Sequence, residues 1–502
     1  PDEASRFLAQ AGFGATDADI TSVQTLGYAG WIDAQFTAPT AQSHWDWLHA
    51  KGYDALIYKN SQAGLDSTLW RKLMNSPDIL RQRIVLALTE LFVVSPSGIP
   101  VSWKQFACAA YMDMLEANCF GNFRALLEAV TLSSAMGVFL NMRGNQKEDP
   151  RTGRVPDENY AREVMQLLTI GLHQLKLDGT VKTDASGKPI ETYDQSSIAG
   201  LAKVFTGWDF TSYHADTPDH MRLPMSLIAS RHSTSSKSFL GVTVPTGLTG
   251  VQELKFALDT IFNHPNVGPF VGKQLIERLV TSNPSTFYVG RVAAAFNDNG
   301  SGVRGDMKAV IRAVLLDGEA RTVFPSATAG KLREPMIRLV QWARTFKATS
   351  PTDAWNIGDT SDPAKKLGQS PLRSPSVFNF FRPGYVPPNT VLAQQQLVAP
   401  EFQILNESTV VSYVNYMQTV INTGAGEVAS SYADELALAA NAGNLVNRYN
   451  VLLAGGQLSA AAQSTIQNAI SAISGSTDAG KRTRVTAAVL LVMSAPDYLV
   501  QK

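Results

Sequence analysis

Apolar residues recur at helical spacing along most of the chain. In the stretch RQRIVLALTELFVVS, residues Ile84, Leu88 and Leu91 lie three or four positions apart, as they would on one face of an α-helix. The stretches GKQLIERLV, MKAVIRAVLL and MIRLVQWARTF repeat this period, whereas the alternation of apolar and polar residues typical of a β-strand is scarce. The pattern predicts an all-α fold, a large multi-helix domain with little or no sheet.

Stretches rich in Gly, Pro, Ser and Asn separate these helices. They predict long irregular loops at residues 145–156, 179–192, 209–250, 349–400 and 421–430. Loops of this length in a compact protein more often cover a functional site than act as slack connections. Thr16 followed by Asp19 is typical of a capping box at a helix start. We assign residues 1–410 to the main helical domain and residues 411–502 to a C-terminal helical segment packed on the same core.

Composition and charge argue against several classes of partner. The chain carries 43 Lys plus Arg and 43 Asp plus Glu, so its formal net charge is zero. A balanced chain has no long-range positive field to attract nucleic acid, and we expect no nucleic-acid partner. The best candidate for a membrane span, VTAAVLLVM, is far shorter than the roughly 20 apolar residues that cross a bilayer. We therefore expect no membrane span.

The sequence contains only two cysteines, Cys108 and Cys119. On one unbroken helix they would lie roughly 16 Å apart, at about 1.5 Å per residue, which is beyond the reach of a disulfide. We expect two small buried side chains. A disulfide would require the helix to break near Asn118.

The stretch DENYAREVMQLLTIGL, residues 157–172, crowds charges at the start of a predicted helix. Asp157 fits an N-cap, Glu158 suits the positive end of the helix dipole, and Glu158 can pair with Arg162 across one turn. The wide polar face contains no Lys, unlike most solvated helices. Two interpretations stay open: a structural ion-pair network, buried or at a helix interface, or a ligand-binding or catalytic cluster that includes Glu163.

Other candidate chemistry is less specific. In the loop that follows Trp208, His232 lies near Lys237 and is a candidate for facing a substrate; the alternative is a covering loop with incidental histidines. The histidine spacing matches no standard zinc pattern. The chain also contains no GxSxG elbow, no Walker A loop and no GxGxxG after a strand. We expect no bound metal and no cofactor.

Several stretches carry a resemblance to a known family. They follow one another in order along essentially the whole chain: RFLAQAGFG, FGNFRALLEAVTLSSAMGVFLN, PDENYAREVMQLLTIGL, VFTGW, FVGKQLIERLVTSNPS, KLREP, SPSVFNFFRPGY and MSAPDYLVQ. On these stretches the chain resembles the bacterial family called "domain of unknown function eighteen-hundred", which has no settled biochemical role. The resemblance implies export to the periplasm, the cell surface or the medium. It also implies a protein partner, a sulfatase-like protein that is often encoded beside members of the family.

One departure from the family pattern bears on metal binding. Many relatives have a segment like WHNHF where this chain reads LALTELF, and one like ELHTLG where it reads QLLTIG. The histidines of those relatives correspond here to Thr89, Leu91 and Leu168. Because neither Thr nor Leu replaces an imidazole ligand, we expect no metal at this place.

Two classes of function stay open. The first is an enzyme, a hydrolase or lyase acting on an extracellular polymer such as a polysaccharide, with Glu158 or Glu163 as acid and base and Arg162 holding an anionic or hydroxyl-rich group. In that case the substrate contacts would come from four further residues: Asn159, Trp208, His232 and Lys237. The second is a non-catalytic scaffold or binding partner in a complex with the sulfatase-like protein.

Overall fold

The computed structural model describes residues 1–322 and 329–502, and it confirms the all-α prediction. Helices make up 53% of the structure. In the described ranges the only sheets are three antiparallel pairs of two-residue strands. No helix of the described residues is long and apolar enough to cross a membrane.

Helices α1 to α15 lie in the first part of the chain, residues 1–322. Their bounds are α1 Asp2–Ala11, α2 Asp17–Phe36, α3 His44–Ala50, α4 Leu65–Asn75, α5 Ile79–Leu91, α6 Lys104–Asn118, α7 Phe123–Leu132, α8 Ser134–Phe139, α9 Asn159–Gln166, α10 Gln195–Val204, α11 Gly250–Phe262, α12 Val267–Leu279, α13 Thr286–Asn297, α14 Met307–Leu316 and α15 Gly318–Arg321.

The helices after residue 328 form the second part. Their bounds are α16 Pro335–Thr345, α17 Val391–Gln394, α18 Glu407–Thr423, α19 Ala433–Leu438, α20 Ala442–Leu452, α21 Ala460–Ser471, α22 Asp478–Ser494 and α23 Pro496–Leu499. Short 3-10 helices cover Leu56–Tyr58, Pro96–Gly98, Asp219–Arg222, Ala229–Arg231 and Pro400–Ile404.

The short strands form pairs in the predicted loop 209–250 and near the C-terminal residues. Their bounds are β1 Trp208–Asp209, β2 Ser226–Leu227, β3 Ser238–Phe239, β4 Val242–Thr243, β5 Lys331–Leu332 and β6 Val500–Gln501. β1 pairs with β2 and β3 with β4, which gives the predicted loop 209–250 local order. β5 pairs with β6, with Lys331 opposite Gln501.

Local signals explain where several helices start. The Thr16 hydroxyl accepts a hydrogen bond from the Asp19 backbone N–H, and the Asp19 carboxylate accepts one from the Thr16 backbone N–H at 3.1 Å. This reciprocal pair is the predicted capping box, and it is confirmed. Ser459 caps α21 in the same direction, by accepting from the backbone N–H of Ala462.

Buried apolar side chains form two cores that share α4 and α5. The first core draws on α1 to α14, and the second on α16 and α18 to α22 with Trp70 and Leu73 from α4. On α5, Ile84 and Leu88 lie in the first core and Leu86 in the second. Helix α5 therefore lies between the cores, and its polar side chains are buried with it. The domain boundary at residue 410 stays a prediction.

Both cysteines are buried and unpaired, because α6 runs unbroken past Cys108 to Asn118 and Cys119 caps it. Burial raises the pKa of each thiol to about 12. We predict that neither thiol reacts with a thiol reagent at pH 8 in the folded protein, since only the thiolate is nucleophilic. Unfolding without a reductant should release two reactive thiols per chain. Titration with a chromogenic disulfide before and after denaturation measures both numbers; fewer than two after unfolding would contradict the continuous helix.

Candidate functional site

The charged face of α9 lies at the surface. Glu158 and Arg162 form an ion pair of 3.2 Å, with 34% and 39% of their side chains exposed. The Gln195 amide donates to Glu158 at 2.8 Å. The pair is half-exposed and contacts Gln195 of α10, and whether it serves as a structural network or as a ligand-binding cluster stays a prediction. Asn159, the half-buried first residue of α9, donates its backbone N–H to Asp157 at 2.8 Å.

Helix α9 is also shorter than the sequence pattern predicts. It ends at Gln166, and Gly171 adopts a φ of 71°, a left-handed conformation that glycine tolerates and a helix does not. The chain leaves the helix in a tight turn, in which the backbone N–H of Ile170 donates to Met165 at 3.0 Å. Residues 167–172 are thereby released from the helix.

Glu163 differs from its two charged neighbours because it is buried. Burial raises the pKa of its carboxyl group, and Arg162 only partly opposes this. Within the described chain its Oε2 atom has no hydrogen-bond partner. Its role as acid or base stays a prediction.

Trp208, His232 and Lys237 lie in the interior. The Trp208 indole donates to the backbone oxygen of Val204 at 3.3 Å. The His232 ring donates from Nδ1 to a backbone oxygen at 2.7 Å, and its Nε2 lies 2.7 Å from the carboxylate of Glu253. Lys237 reaches the same carboxylate at 2.9 Å. Glu253 of α11 thus joins His232 and Lys237 into a buried cluster that fastens the 209–250 loop, and their substrate contacts stay predictions.

A cavity that the sequence did not indicate lies where α5, α9 and α12 meet the loop 346–390. We call it the Glu90 cavity; its volume is about 320 Å³. Three of the stretches that carry the family resemblance line it together with the end of α5. The lining residues are Glu90, Leu91, Gln166, Leu167, Gly171, Leu172, Phe270, Gln274, Arg278, Val377, Phe378, Arg382 and Pro383.

The wall formed by α12 follows from helical geometry. Phe270, Gln274 and Arg278 lie four residues apart and therefore share one face of the helix. The Arg278 guanidinium hydrogen-bonds the Gln274 side chain, which fixes both groups against the cavity. On the opposite wall the Arg382 guanidinium lies 4.8 Å from the centre of the Phe378 ring. The cavity thus combines apolar and aromatic walls with amide and guanidinium donors.

Glu90 is the acidic group of this cavity. The Arg278 Nε atom lies 3.3 Å from its carboxyl group, and Arg278 also donates to the Glu90 backbone oxygen at 3.1 Å. Burial raises the pKa of Glu90 well above its usual range, and the neighbouring Glu334 raises it further. For Glu334, burial opposes ionisation, but Lys331 and a hydrogen bond from Glu90 hold the pKa below its ordinary value.

A side-chain hydrogen bond joins the Glu90 and Glu334 carboxyl groups. If both groups were ionised, neither carboxylate oxygen of Glu90 would have a hydrogen-bond donor among the described residues. The Oε1 atom of Glu334 would also have none. A proton on Glu90 supplies the missing donor and removes the repulsion between two adjacent negative charges. The other oxygen of Glu334 accepts from the Gln369 amide at 2.6 Å. Burial and the neighbouring Glu334 therefore favour the neutral form of the Glu90 carboxyl group.

A buried charge network lies behind the Glu90 cavity. Its cations are Arg83, Arg278 and Lys331, and its carboxyl groups are Glu90, Glu277, Glu334 and Glu401. Lys331 lies 3.0 Å from Glu401 and donates to the Arg278 backbone oxygen at 2.7 Å. Burial raises the pKa of Glu277 to about 7. Glu277 also lies 3.8 Å from Lys273, so the four carboxyl groups face four cations.

Among the described residues, three side chains have the spacing of metal ligands, but they already bind other groups of the protein. His44, Asp113 and Glu116 hold their ligand atoms within 4.8 Å of one another. However, Lys72 hydrogen-bonds Glu116, and Asp113 accepts the backbone N–H of His44 at 2.8 Å and of Trp45 at 2.9 Å. A lysine ammonium competes directly with a metal cation, so this group serves to fasten α3 and α4 to α6.

The positions where relatives carry histidines lie around the Glu90 cavity. Leu91 lines it, and the Thr89 hydroxyl donates to the Leu86 backbone oxygen at 2.7 Å. Leu168 is buried one residue beyond the lining residue Leu167. None of the three offers a nitrogen ligand, and the expected absence of metal here stays a prediction.

A signal for Glu90 was present in the sequence. Glu90 is the single charge within the apolar helical stretch IVLALTELFVV, and Arg278 lies in the more polar stretch GKQLIERLV. A charge on the apolar face of a buried helix requires a partner, but the sequence does not say which residue supplies it.

Comparison with known proteins completes the description. No curated protein and no solved structure matches the chain. One family model, described as protein of unknown function (DUF1800), matches residues 6–500. The match spans both cores and every residue of the Glu90 cavity, and on this evidence the chain belongs to the DUF1800 family.

Proposed function

We propose that the protein is a hydrolase or lyase in which Glu90 acts as the general acid, on a polymer such as a polysaccharide. The observation that carries this proposal is the buried carboxyl group of Glu90, which lies beside Arg278 in the wall of the cavity and whose pKa is raised well above its usual range. An acid that keeps its proton at neutral pH can give it to a leaving group, which an ordinary glutamate cannot do.

The proposed step moves one proton and breaks one C–O bond. Glu90 donates its proton to the bridging oxygen as that bond breaks, so that the leaving group departs as a neutral hydroxyl. The negative charge left on Glu90 is stabilised by Arg278. In hydrolysis a water molecule adds its hydroxyl to the carbon and its proton restores Glu90. In a lyase the neighbouring carbon of the substrate loses a proton as a C=C bond forms, and that proton restores Glu90.

The cavity walls suit a single unit of such a polymer. A volume of about 320 Å³ falls at the lower end of the range for small-molecule sites. Phe270 and Phe378 offer aromatic surfaces for the C–H face of a sugar ring, while Gln166, Gln274 and Arg382 offer hydrogen bonds to its hydroxyl groups.

The surface charges of α9 fit an approach path to this cavity. Arg162 and Gln166 lie four residues apart on one helix face, and Gln166 lines the Glu90 cavity. We propose that Glu158, Arg162 and Asn159 contact the polymer outside the cavity, and that Glu163 is a second carboxyl group available to it. Export and a sulfatase-like partner, which the family resemblance implies, stay predictions.

Replacing Glu90 by Gln tests the proposal. Glutamine keeps the shape, is neutral like the protonated acid, and can donate an N–H to Glu334, so the variant should melt within a few degrees of the parent. Its activity should fall by at least about 100-fold, because it cannot release a proton. Activity is measured as new reducing ends or unsaturated ends from a panel of soluble neutral and acidic polysaccharides.

The matched control is Glu277→Gln, which removes a buried carboxyl group of the same network that does not line the cavity. It should retain the parent's activity. The proposal is wrong if Glu90→Gln cleaves every polysaccharide at the parent's rate, or if the parent cleaves none of the panel.

The raised pKa of Glu277 predicts a pH-dependent stability. In the folded protein its pKa is about 7, against 4.5 ordinarily, so the unfolded chain releases this proton first as pH rises. Stability from this group is complete below about pH 4.5 and is lost as pH rises through 7, by up to ~3 kcal/mol. Glu277→Gln should therefore gain stability over the parent between pH 4.5 and pH 8. Urea unfolding at both pH values measures this gain, and an unchanged difference would contradict it.

A further inference from the structure

A second cavity lies at the opposite end of α9 from the Glu90 cavity. Its volume is about 300 Å³ and its lining is mostly polar, including Asn141, Arg143, Gln146, Arg154 and Asp157. We call it the Arg154 cavity. The eight residues of α9, Asn159–Gln166, separate the two cavities by about 12 Å of helix. Nothing in the proposed reaction at Glu90 uses this second cavity.

The frame of the Arg154 cavity is held by one buried amide. Asn145 is 7% exposed; its side chain donates to the Asp157 backbone oxygen at 3.1 Å and accepts from the Asp157 backbone N–H at 2.8 Å. The Asn145 backbone oxygen accepts from Gly207, and Trp208 accepts from Gly144, both at 2.8 Å. These bonds tie the cavity loop to the start of α9 and to β1, so its shape is fixed before any ligand arrives.

Arg143 is held in one orientation by its Nε atom and its flat face. Nε donates to Asp209 at 2.9 Å, and the guanidinium carbon lies 3.9 Å from the centre of the Phe210 ring. The two terminal nitrogens, Nη1 and Nη2, donate to no acceptor in residues 1–322 or 329–502. These two nitrogens are therefore held in a fixed orientation, and their N–H groups remain available to a ligand.

Arg154 is also anchored through its Nε atom. Its Nε donates to the Lys147 backbone oxygen at 2.9 Å, and its own backbone oxygen accepts from Asp149 at 3.0 Å. Its terminal nitrogens also have no acceptor among the described residues. The two arginines that line this cavity are therefore both anchored through Nε, and their four terminal nitrogens have no acceptor among the described residues.

The remaining lining leaves the cavity positive. The side-chain amides of Asn141 and Gln146 make no hydrogen bond within the described chain. Asp157 is the one carboxylate among the lining residues, and it already accepts the Asn159 backbone N–H at 2.8 Å. Just outside the lining, Asp209 pairs with both Arg143 and Arg231. Three guanidinium groups against two carboxylates favour a negatively charged ligand.

We propose that the Arg154 cavity binds an oxyanion, a carboxylate, sulfate or phosphate group, through the free Nη atoms of Arg143 and Arg154. Guanidinium forks match the paired oxygens of these groups, and anchoring through Nε reduces the ordering that binding requires. Either a free inorganic anion or an acidic substituent on a polymer supplies this chemistry. The proposal holds whether or not Glu90 is catalytic, because it concerns binding alone.

Isothermal titration calorimetry on the full chain at low salt tests it. The probes are sodium sulfate, sodium phosphate, a linear oligogalacturonate and a neutral xylo-oligosaccharide of the same length. We expect at least one anionic probe to bind and the neutral oligomer not to. Binding should weaken as NaCl is added, since the Arg154 side chain is exposed. A response to sulfate or phosphate identifies a free anion as sufficient; a response to oligogalacturonate alone identifies an acidic substituent.

Two arginine variants locate the binding site. Arg154→Gln should weaken binding at least about tenfold, while its exposure keeps the fold intact, which a melting curve checks. Arg151→Gln removes an equally exposed arginine three residues away that does not line the cavity, and it should bind within about twofold of the parent. The proposal fails if no anionic probe binds at millimolar concentration, if the neutral oligomer binds as well as the acidic one, or if both variants weaken binding equally.

Discussion

The interior of this protein depends on neutralising charges where its two cores meet. Charged groups in a low-dielectric interior destabilise the fold unless they are paired and hydrogen-bonded. Here Lys331 forms an ion pair with Glu401 and donates a hydrogen bond to the backbone oxygen of Arg278 in α12. Arg83 donates to the same backbone oxygen at 2.7 Å. The network therefore fixes α5, α12 and the start of α16 relative to one another, and the Glu90 cavity inherits its shape from them.

The charged groups that stabilise the interior also form the wall of the Glu90 cavity. Arg278 closes the network on one side and lines the Glu90 cavity on the other, so the cation that stabilises the interior is also the one nearest the acid. Burial beside Glu334 favours the neutral form of the Glu90 carboxyl group, and Glu90 forms part of the cavity wall.

Sequence patterns located the helices and several local contacts, because those depend on residues close together in the chain. The capping box at Thr16 and the Glu158–Arg162 pair both follow from spacings of three or four residues. Which way a helix faces depends on distant partners: Glu90 meets Arg278 across 188 positions. For this reason the sequence indicated the charged face of α9 but left open which groups surround it. Glu90, hidden in an apolar stretch, was not recognised at all.

The pairing of β5 with β6 has a consequence for the order in which the molecule is made. Lys331 lies opposite Gln501, and the Gln501 amide donates to the Leu279 backbone oxygen at 2.8 Å, at the end of α12. During translation every member of the charge network, the last of which is Glu401, emerges before residue 501 does. The network and the first core can therefore form while the ribosome is still working, and the pairing of β5 with β6 is added once residue 501 has left the exit tunnel.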